Sequence, residues 1–116
     1  MIHEEEKCPI EIAMTIIGTK WKIQILRDLV RSEEGKMRFS DFKVTITGIS
    51  DKMLSQSLKE LERDHMLHRK MVDGNPPRTE YSLTEMGQRM NTVLSALYDW
   101  GTLYRDKYKA EGEEGA

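Results

Sequence analysis

Side chains able to recognise a nucleic acid recur at helical spacing within residues 48–67, which read GISDKMLSQSLKELERDHML. Lys52, Gln56, Lys59 and Arg63 are separated by three or four positions, so in a helix they share one face. Arginine and lysine donate to guanine edges, glutamine pairs with adenine edges, and all three residue types bind phosphates. The pattern favours a face that contacts a duplex. The alternative is an ordinary amphipathic helix whose charged face is solvated.

The opposite face of the same segment predicts the helix itself. Leu54, Leu58 and Leu61 recur at i, i+4 and i+7, a narrow apolar stripe that would pack on a core. Ser50 suits the N-cap, and Asp51 follows in the first turn, where the helix dipole stabilises a negative charge. Neighbouring elements must supply the core on which this helix packs.

The length and the charge distribution limit the class of protein. At 116 residues, with 33% charged and 38% apolar residues, the chain is predicted to form one domain with a modest core. The net charge of −2 argues weakly against a nucleic-acid binder, but residues 36–80 carry nine Lys and Arg against seven Asp and Glu. Both flanks of this segment are net acidic. A localised basic patch fits a protein that touches a duplex with one region only.

The sequence contains no pattern for a membrane span, a cofactor site or a catalytic site. It lacks an apolar run long enough to cross a bilayer, and its N-terminus (MIHEEEKCPIE) is acidic, unlike a signal peptide. We therefore expect a cytoplasmic protein with no membrane partner. One cysteine excludes an internal disulfide, and a glycine-rich phosphate loop is absent. His65 and His68 lie near Asp64, but a weak metal site there is disfavoured, so we expect no enzyme activity, no metal and no cofactor.

Two helices are predicted before the turn at residues 32–35. The first starts at Pro9, ends at Gly18 and has an apolar face made of Ile10, Ala13, Met14 and Ile17. Thr19 caps the second, whose inward positions are Trp21, Ile25, Leu26, Leu29 and Val30. Its outward positions are predicted to be Lys20, Lys22, Arg27 and Asp28.

A short third helix precedes residues 48–67. Ser40 and Asp41 suit its N-cap, and its apolar positions are Phe42, Val44 and Ile46. A tight connection at residues 47–49 then leads into the helix described first. Two helices joined by a few residues that include glycine form the helix-turn-helix outline, in which the second helix carries the polar outer face.

After Leu67 the period of the sequence changes toward two, which predicts a β-hairpin. The strands are expected at residues 68–72 and 78–83, on either side of a turn, DGNPP, at residues 73–77. A hairpin directly after the second helix of such a pair is a wing. Its basic residues could approach phosphates or a minor groove, or could simply be exposed; they are Arg69, Lys70 and Arg78.

A long final helix is predicted from Thr84, as N-cap, to Tyr108. Its apolar positions recur with a heptad-like spacing of three and four: Met90, Val93, Leu97, Trp100 and Tyr104. At roughly 36 Å, the helix would be longer than one small domain can cover. Its surplus apolar face therefore needs the N-terminal helix or a second copy of the chain, and we favour both. Residues 1–7 and 109–116 are predicted to be flexible tails.

Six sequence blocks within residues 8–101 carry a family resemblance. In chain order they read CPI (8–10), IGTKWK (17–22), RFSDF (38–42), GISDKML (48–54), LKELE (58–62) and PPRTEYSLTEMG (76–87). Together they resemble the HxlR-type family of bacterial winged helix-turn-helix regulators, which are relatives of the MarR group. The resemblance implies a mainly α fold with a small β-hairpin wing. It also implies a homodimer, joined through the N-terminal and long C-terminal helices, that binds a palindromic DNA operator and regulates transcription.

Site residues follow from placing these elements on a duplex. In the major groove we expect Lys52, Ser55, Gln56 and Lys59. At phosphates or along the flank we expect Ser50, Arg63, Arg38, Ser40, Asn75 and Arg78. The dimer interface is expected to include Ile10 and Met14 with the heptad positions. An alternative is a winged-helix module that binds protein through the same surface, and salt dependence would discriminate the two. A small-molecule sensor without DNA contact would leave the basic face unexplained.

Cys8 is a candidate redox sensor. It precedes Pro9 at an N-cap position, where amide donors and the helix dipole favour a thiolate; Lys7 supports this and the nearby glutamates oppose it. Some members of the resembled family sense oxidants or electrophiles through a cysteine in this position, so an oxidant or small-molecule effector is expected. The alternative is a thiol that packs in the dimer seam.

Overall fold

The computed structural model describes residues 7–109, and its elements follow the order expected for a helix-turn-helix with a wing. The helices are α1 (Pro9–Ile17), α2 (Lys20–Arg31), α3 (Phe39–Thr45), α4 (Asp51–Arg63), α5 (Glu85–Gln88) and α6 (Met90–Tyr104), and a π-helical turn follows at Arg105–Lys109. The strands are β1 (Lys36–Arg38), β2 (Leu67–Val72) and β3 (Arg78–Leu83). The predicted tails lie almost wholly outside the described residues.

The core lies where α2, α3, α4 and the sheet meet. Its side chains with no more than 1% exposure are Ile25, Leu26, Phe42, Ile46, Leu54, Leu58 and Leu61. Phe42 meets Tyr81 of β3 edge-on, with ring centroids 6.2 Å apart. Burial of each large apolar side chain contributes about 1.5–3 kcal/mol, so this core fixes the orientation of α4 against α2 and α3.

The three strands form one antiparallel sheet in the order β1-β3-β2. The hairpin pairs from Leu67 opposite Leu83 to Val72 opposite Arg78, which confirms the predicted strands to within one residue. The strand β1, in which Met37 lies opposite Tyr81, has no counterpart in the sequence-based prediction. The predicted mainly α fold with a β-hairpin wing is confirmed.

The corner after α4 is made by His65, which adopts a left-handed backbone with φ +67°. Here the amide of Met66 donates to the carbonyl of Leu61 at 2.9 Å and closes the helix. The hydroxyl of Thr84 donates to the carbonyl of His65 at 2.7 Å, and the amide of Thr84 donates to the carbonyl of Met66 at 3.0 Å. Thr84 therefore ties the end of α4 to the start of α5.

The predicted uninterrupted helix over residues 84–108 is wrong. Thr84 is the N-cap, accepting from the amide of Gly87 at 3.0 Å, but the first helix ends at Gln88 and a turn at Arg89 precedes α6. A Cβ at Gly87 would lie 2.3 Å from the Met66 carbonyl oxygen. The backbone of α5 thus packs directly against the corner after α4, and α6 starts anew. Within residues 7–109 no helix is both long and apolar enough to cross a membrane.

Candidate nucleic-acid interface

The helix α4 is anchored as its sequence predicts. Ser50 is the N-cap, and its hydroxyl accepts from the amide of Met53 at 3.1 Å. The predicted stripe of Leu54, Leu58 and Leu61 is buried against the core. Ser57 is also buried and lies on this inner face. These contacts leave the opposite face of α4 directed outward.

The outer face of α4 carries the predicted polar side chains. Lys52, Gln56, Lys59 and Arg63 are exposed, and Ser55 is half-buried at the edge of the face. Neither Lys52 nor Lys59 takes part in an ion pair with the part of the chain that the structure describes. Two lysines and one amide at helical spacing are thus available to a ligand.

Arg63 is less available than its position suggests. Its Nε and Nη2 each donate to Asp64, both at 3.1 Å. The hydrogen bonds and charge of the Asp64 carboxylate raise the pKa of Arg63 above its ordinary value. A phosphate at this end of the helix would have to share the guanidinium with Asp64.

Lys22 contradicts the prediction that it faces outward. It is 4% exposed, and its Nζ lies 2.7 Å from Oε1 of Glu60 on α4. The second carboxylate oxygen of Glu60 accepts from Nε2 of Gln56 at 3.2 Å. The hydrogen bond from Lys22, followed by the one from Gln56, lowers the pKa of Glu60 below its ordinary value. A buried cation on α2 is therefore connected through Glu60 to the outer face of α4.

A further lysine, absent from the predicted site, lies at the N-terminus of α4. Nζ of Lys43 donates to the carbonyl of Ile49 at 2.6 Å and lies 2.9 Å from the Asp51 carboxylate. It bridges α3 and the first turn of α4. Periodicity on α3 alone could not reveal it, because its partners lie beyond the connecting turn.

The start of α3 differs from the prediction. Arg38, not Ser40 or Asp41, is the N-cap residue. Asp41 lies in the first turn, and its carboxylate accepts from the Arg38 amide at 2.9 Å. Arg38 and Ser40 are both exposed, and the Arg38 guanidinium lies 3.9 Å from Asp41. Both side chains are open to solvent beside the helix-turn-helix.

The wing presents its basic residues on the surface. Arg69, Lys70, Asn75 and Arg78 are all exposed, and Nε of Arg78 lies 3.9 Å from Glu80. Arg69 pairs in register with Tyr81. Burial raises the pKa of the Tyr81 hydroxyl, and the charge of Arg69 partly offsets this. The wing residues thus flank α4 without lying in its helical face.

The second predicted surface is the apolar face of α1 and α6. Six of its seven predicted positions are exposed to a large extent: Ile10, Met14, Val93, Leu97, Trp100 and Tyr104. Met90 differs from the other six, because it is 7% exposed and packs in this chain's own core, so it does not belong to the exposed face. Trp100 and Tyr104 stack with ring centroids 5.5 Å apart. On each of these two helices the single chain thus leaves large aromatic or aliphatic side chains uncovered.

Cys8 lies at the N-cap of α1 and is exposed. Its side chain makes no capping hydrogen bond to the helix. Over residues 7–109, no group of three His, Cys, Asp or Glu side chains is placed to hold a metal ion. The thiol is therefore accessible in the single chain.

Comparisons with known proteins are consistent with this geometry. Residues 16–109 match the family described as HxlR-like helix-turn-helix. The chain is 42% identical over 102 residues to YdeP of Bacillus subtilis (strain 168), named an uncharacterized HTH-type transcriptional regulator, and the match covers 88% of this chain and 77% of YdeP.

Solved structures show the same fold. The redox regulator HypR in its reduced form matches with a TM-score of 0.79 and 34% identity, covering 89% of this chain and 99% of HypR. The reduced form of the transcriptional regulator YodB from B. subtilis matches with a TM-score of 0.72 and 31% identity, covering 92% of this chain and 99% of YodB.

Proposed function

We propose that this chain, which belongs to the HxlR-like helix-turn-helix family of transcriptional regulators, binds a palindromic DNA operator as a homodimer. The outer face of α4 enters the major groove, and the β2–β3 hairpin contacts the flanking backbone. One observation carries this proposal: α4 buries its leucine stripe and directs Lys52, Gln56 and Lys59 outward at helical spacing. These side chains match the hydrogen-bonding groups of base edges and phosphates.

The homodimer part of the proposal is supported by the apolar face of α1 and α6. Ile10 is 71% exposed and Trp100 64% exposed. Exposed apolar patches of this kind mark interaction sites, and a two-fold axis through the patch would let two identical faces cover one another. Two copies of α4 would then enter successive major grooves roughly 34 Å apart on one side of the duplex.

Operator binding is tested with alanine variants of α4 on a duplex selected from random sequences. Gln56→Ala should lose, in each half-site, the roughly 1–3 kcal/mol that a bidentate base contact supplies. Lys52→Ala should weaken binding and, because the dimer carries two copies, reduce the salt slope by about one phosphate contact for each subunit. Lys20→Ala is the matched control, because it removes one exposed lysine from α2. Equal and negligible losses in all three variants would refute the assignment of α4.

The competing function is a winged-helix module that binds protein through the same face. The log–log slope of DNA affinity against salt should be near −0.9 for each phosphate neutralised. A flat salt response, or no binding to any duplex at low salt, would favour the protein-binding module.

A redox or electrophile response through Cys8 is a second proposal. It is supported by the exposed thiol at the start of α1 and by the similarity to HypR, named a redox regulator. With one cysteine in the chain, an oxidant such as diamide would take two electrons and two protons from two thiols. The resulting disulfide would join the Cys8 residues of two subunits, or Cys8 and a small thiol. With a quinone, the Cys8 thiolate would instead add to the quinone ring, and the adduct would take up one proton.

The redox proposal is tested by operator release. Diamide or a quinone should change the affinity of the wild-type protein for its duplex, and Cys8→Ser should abolish that change while keeping the affinity of the untreated protein. Ser82→Ala, a hydroxyl change on β3, serves as a control for handling and folding. An identical response in Cys8→Ser would remove Cys8 from the mechanism.

A further inference from the structure

The Glu60 carboxylate connects the interior of the protein to the proposed base-reading side chain. Its Oε1 lies 2.7 Å from Nζ of Lys22, and its Oε2 accepts from Nε2 of Gln56 at 3.2 Å. The two contacts use different oxygens, so they coexist. The side chain of Lys22 is 6% exposed, whereas that of Glu60 is 29% exposed.

This arrangement restricts the motion of Glu60. Lys22 is fixed by burial on α2, and a charged hydrogen bond to a buried cation is costly to break. Glu60 is ionised at neutral pH, since its ordinary pKa of 4.5 is already far below 7 and the hydrogen bonds from Lys22 and Gln56 lower the pKa further. An ionised carboxylate only accepts hydrogen bonds. The side of the Gln56 amide that faces Glu60 must therefore be its nitrogen.

We propose that Glu60 is a positioning residue that sets the base preference of Gln56 by fixing the orientation of its amide. The proposal rests on the DNA-binding function proposed above. A glutamine amide has two N–H donors and one carbonyl acceptor. With one donor held by Glu60, the second donor and the oxygen remain for the duplex, on defined sides of the amide.

Adenine is the base that fits this orientation. It offers an acceptor, N7, beside a donor, N6–H₂, whereas guanine offers two acceptors, N7 and O6. The positioned amide matches the acceptor and the donor of adenine. On guanine, the same amide would place its oxygen against one of the two acceptors. A rotated amide would turn its oxygen toward the Glu60 carboxylate, where two acceptors would face each other. Glu60 therefore excludes the rotated state and the base contacts that it would make.

The test removes the link without leaving a buried charge. The double variant Lys22→Met/Glu60→Ala deletes one cation and one anion, so the net charge is unchanged and no unpaired ammonium remains in the core. Glu60→Ala alone is the second variant. Glu62→Ala is the matched control, because Glu62 is an exposed glutamate on the same helix. Thermal unfolding verifies that each variant is folded.

The measurement is binding to a duplex library in which every operator position is varied. The position read by Gln56 is the one at which Gln56→Ala flattens the base preference. At that position the wild type should favour adenine roughly 5- to 150-fold, the range expected of a bidentate contact. The double variant should reduce this preference about 5-fold or more, and other positions should keep theirs. The triple variant that adds Gln56→Ala should show the same preference at that position as Gln56→Ala alone, because Glu60 acts there only through Gln56.

Three results would overturn the positioning role. They are an unchanged preference in the folded double variant, an equal loss in Glu62→Ala, and a uniform loss at every position, as a purely structural effect on α4 would cause. If the wild-type protein binds no duplex at low salt, the proposed function fails and this role fails with it. If the wild type binds and Gln56→Ala alters a base preference, the proposed function stands and the positioning role is judged alone.

Discussion

Truncation of Leu97 should weaken the proposed dimer by a predictable amount. Leu97 is 49% exposed in the single chain and belongs to the apolar face of α6. Complete burial of a leucine side chain contributes about 1.5–3 kcal/mol, so covering its exposed half contributes about 1 kcal/mol. A two-fold interface contains the residue twice, which gives about 2 kcal/mol for the dimer. At 1.4 kcal/mol per factor of ten, Leu97→Ala should raise the dimer Kd about 30-fold.

Leu97→Asp should act more strongly, because it would bring two carboxylates into a desolvated seam. Sedimentation equilibrium over a range of protein concentrations measures the dimer Kd of each variant. Val44→Ala is the control: Val44 is 82% exposed but lies on α3, outside the apolar face. In dilute protein Leu97→Ala should lower Tm by only a few degrees, since the half of this side chain that is covered in the single chain contributes about 1 kcal/mol by the same arithmetic.

Either of two outcomes would refute the proposed interface. A wild-type protein that stays monomeric at the highest concentrations would show that the apolar face does not join two copies. A Leu97→Asp variant that dimerises as tightly as the wild type would place the interface elsewhere.

Three further predictions concern stability. Because Lys22 lowers the pKa of Glu60, this carboxylate contributes stability that is fully present above its ordinary pKa of 4.5 and is lost as the pH falls through the lower pKa of the folded state. Lys22→Met should therefore flatten the decline of Tm in acid. An unchanged decline would contradict this prediction. Gly87→Ala should destabilise the fold by more than about 2 kcal/mol in urea unfolding, because its Cβ would lie 2.3 Å from the Met66 carbonyl oxygen, and a neutral effect would refute the close approach. His65→Gly should raise stability by about 1 kcal/mol or less, because it relieves a left-handed backbone; a loss would show that the imidazole makes a stabilising contact.

Local signals in the sequence were sufficient to predict α4, the helix that carries the candidate site, and most of the fold. The leucine stripe and Ser50 predicted α4, because both the apolar spacing and the N-cap bond act within one helix. The DGNPP turn separated two alternating segments and so predicted the hairpin. These features depend on neighbours a few residues away, which is why the sequence alone reveals them.

The features that the sequence could not reveal depend on distant partners. Lys22 looks like an outward lysine on α2 until Glu60 of α4 is placed beside it. The three residues of β1 alternate over too short a run to predict a strand, and they form one by pairing with the edge of β3. The turn at Arg89 lies two residues after Gly87, whose backbone approaches Met66 closely, and no helical pattern within residues 84–108 contains that contact.

The charges on α4 explain why dimerisation and DNA binding should be coupled. Of the cations in or beside this helix, Arg63 is engaged by Asp64 and Lys43 by Asp51. Lys52 and Lys59 remain unpaired within the described residues, so a single α4 offers few charges to neutralise phosphates. Joining two copies makes the second contact intramolecular, which can raise affinity by 10²–10⁴ without any new side chain. Loss of the apolar face should therefore weaken operator binding more than loss of either lysine, although the face itself does not touch the duplex.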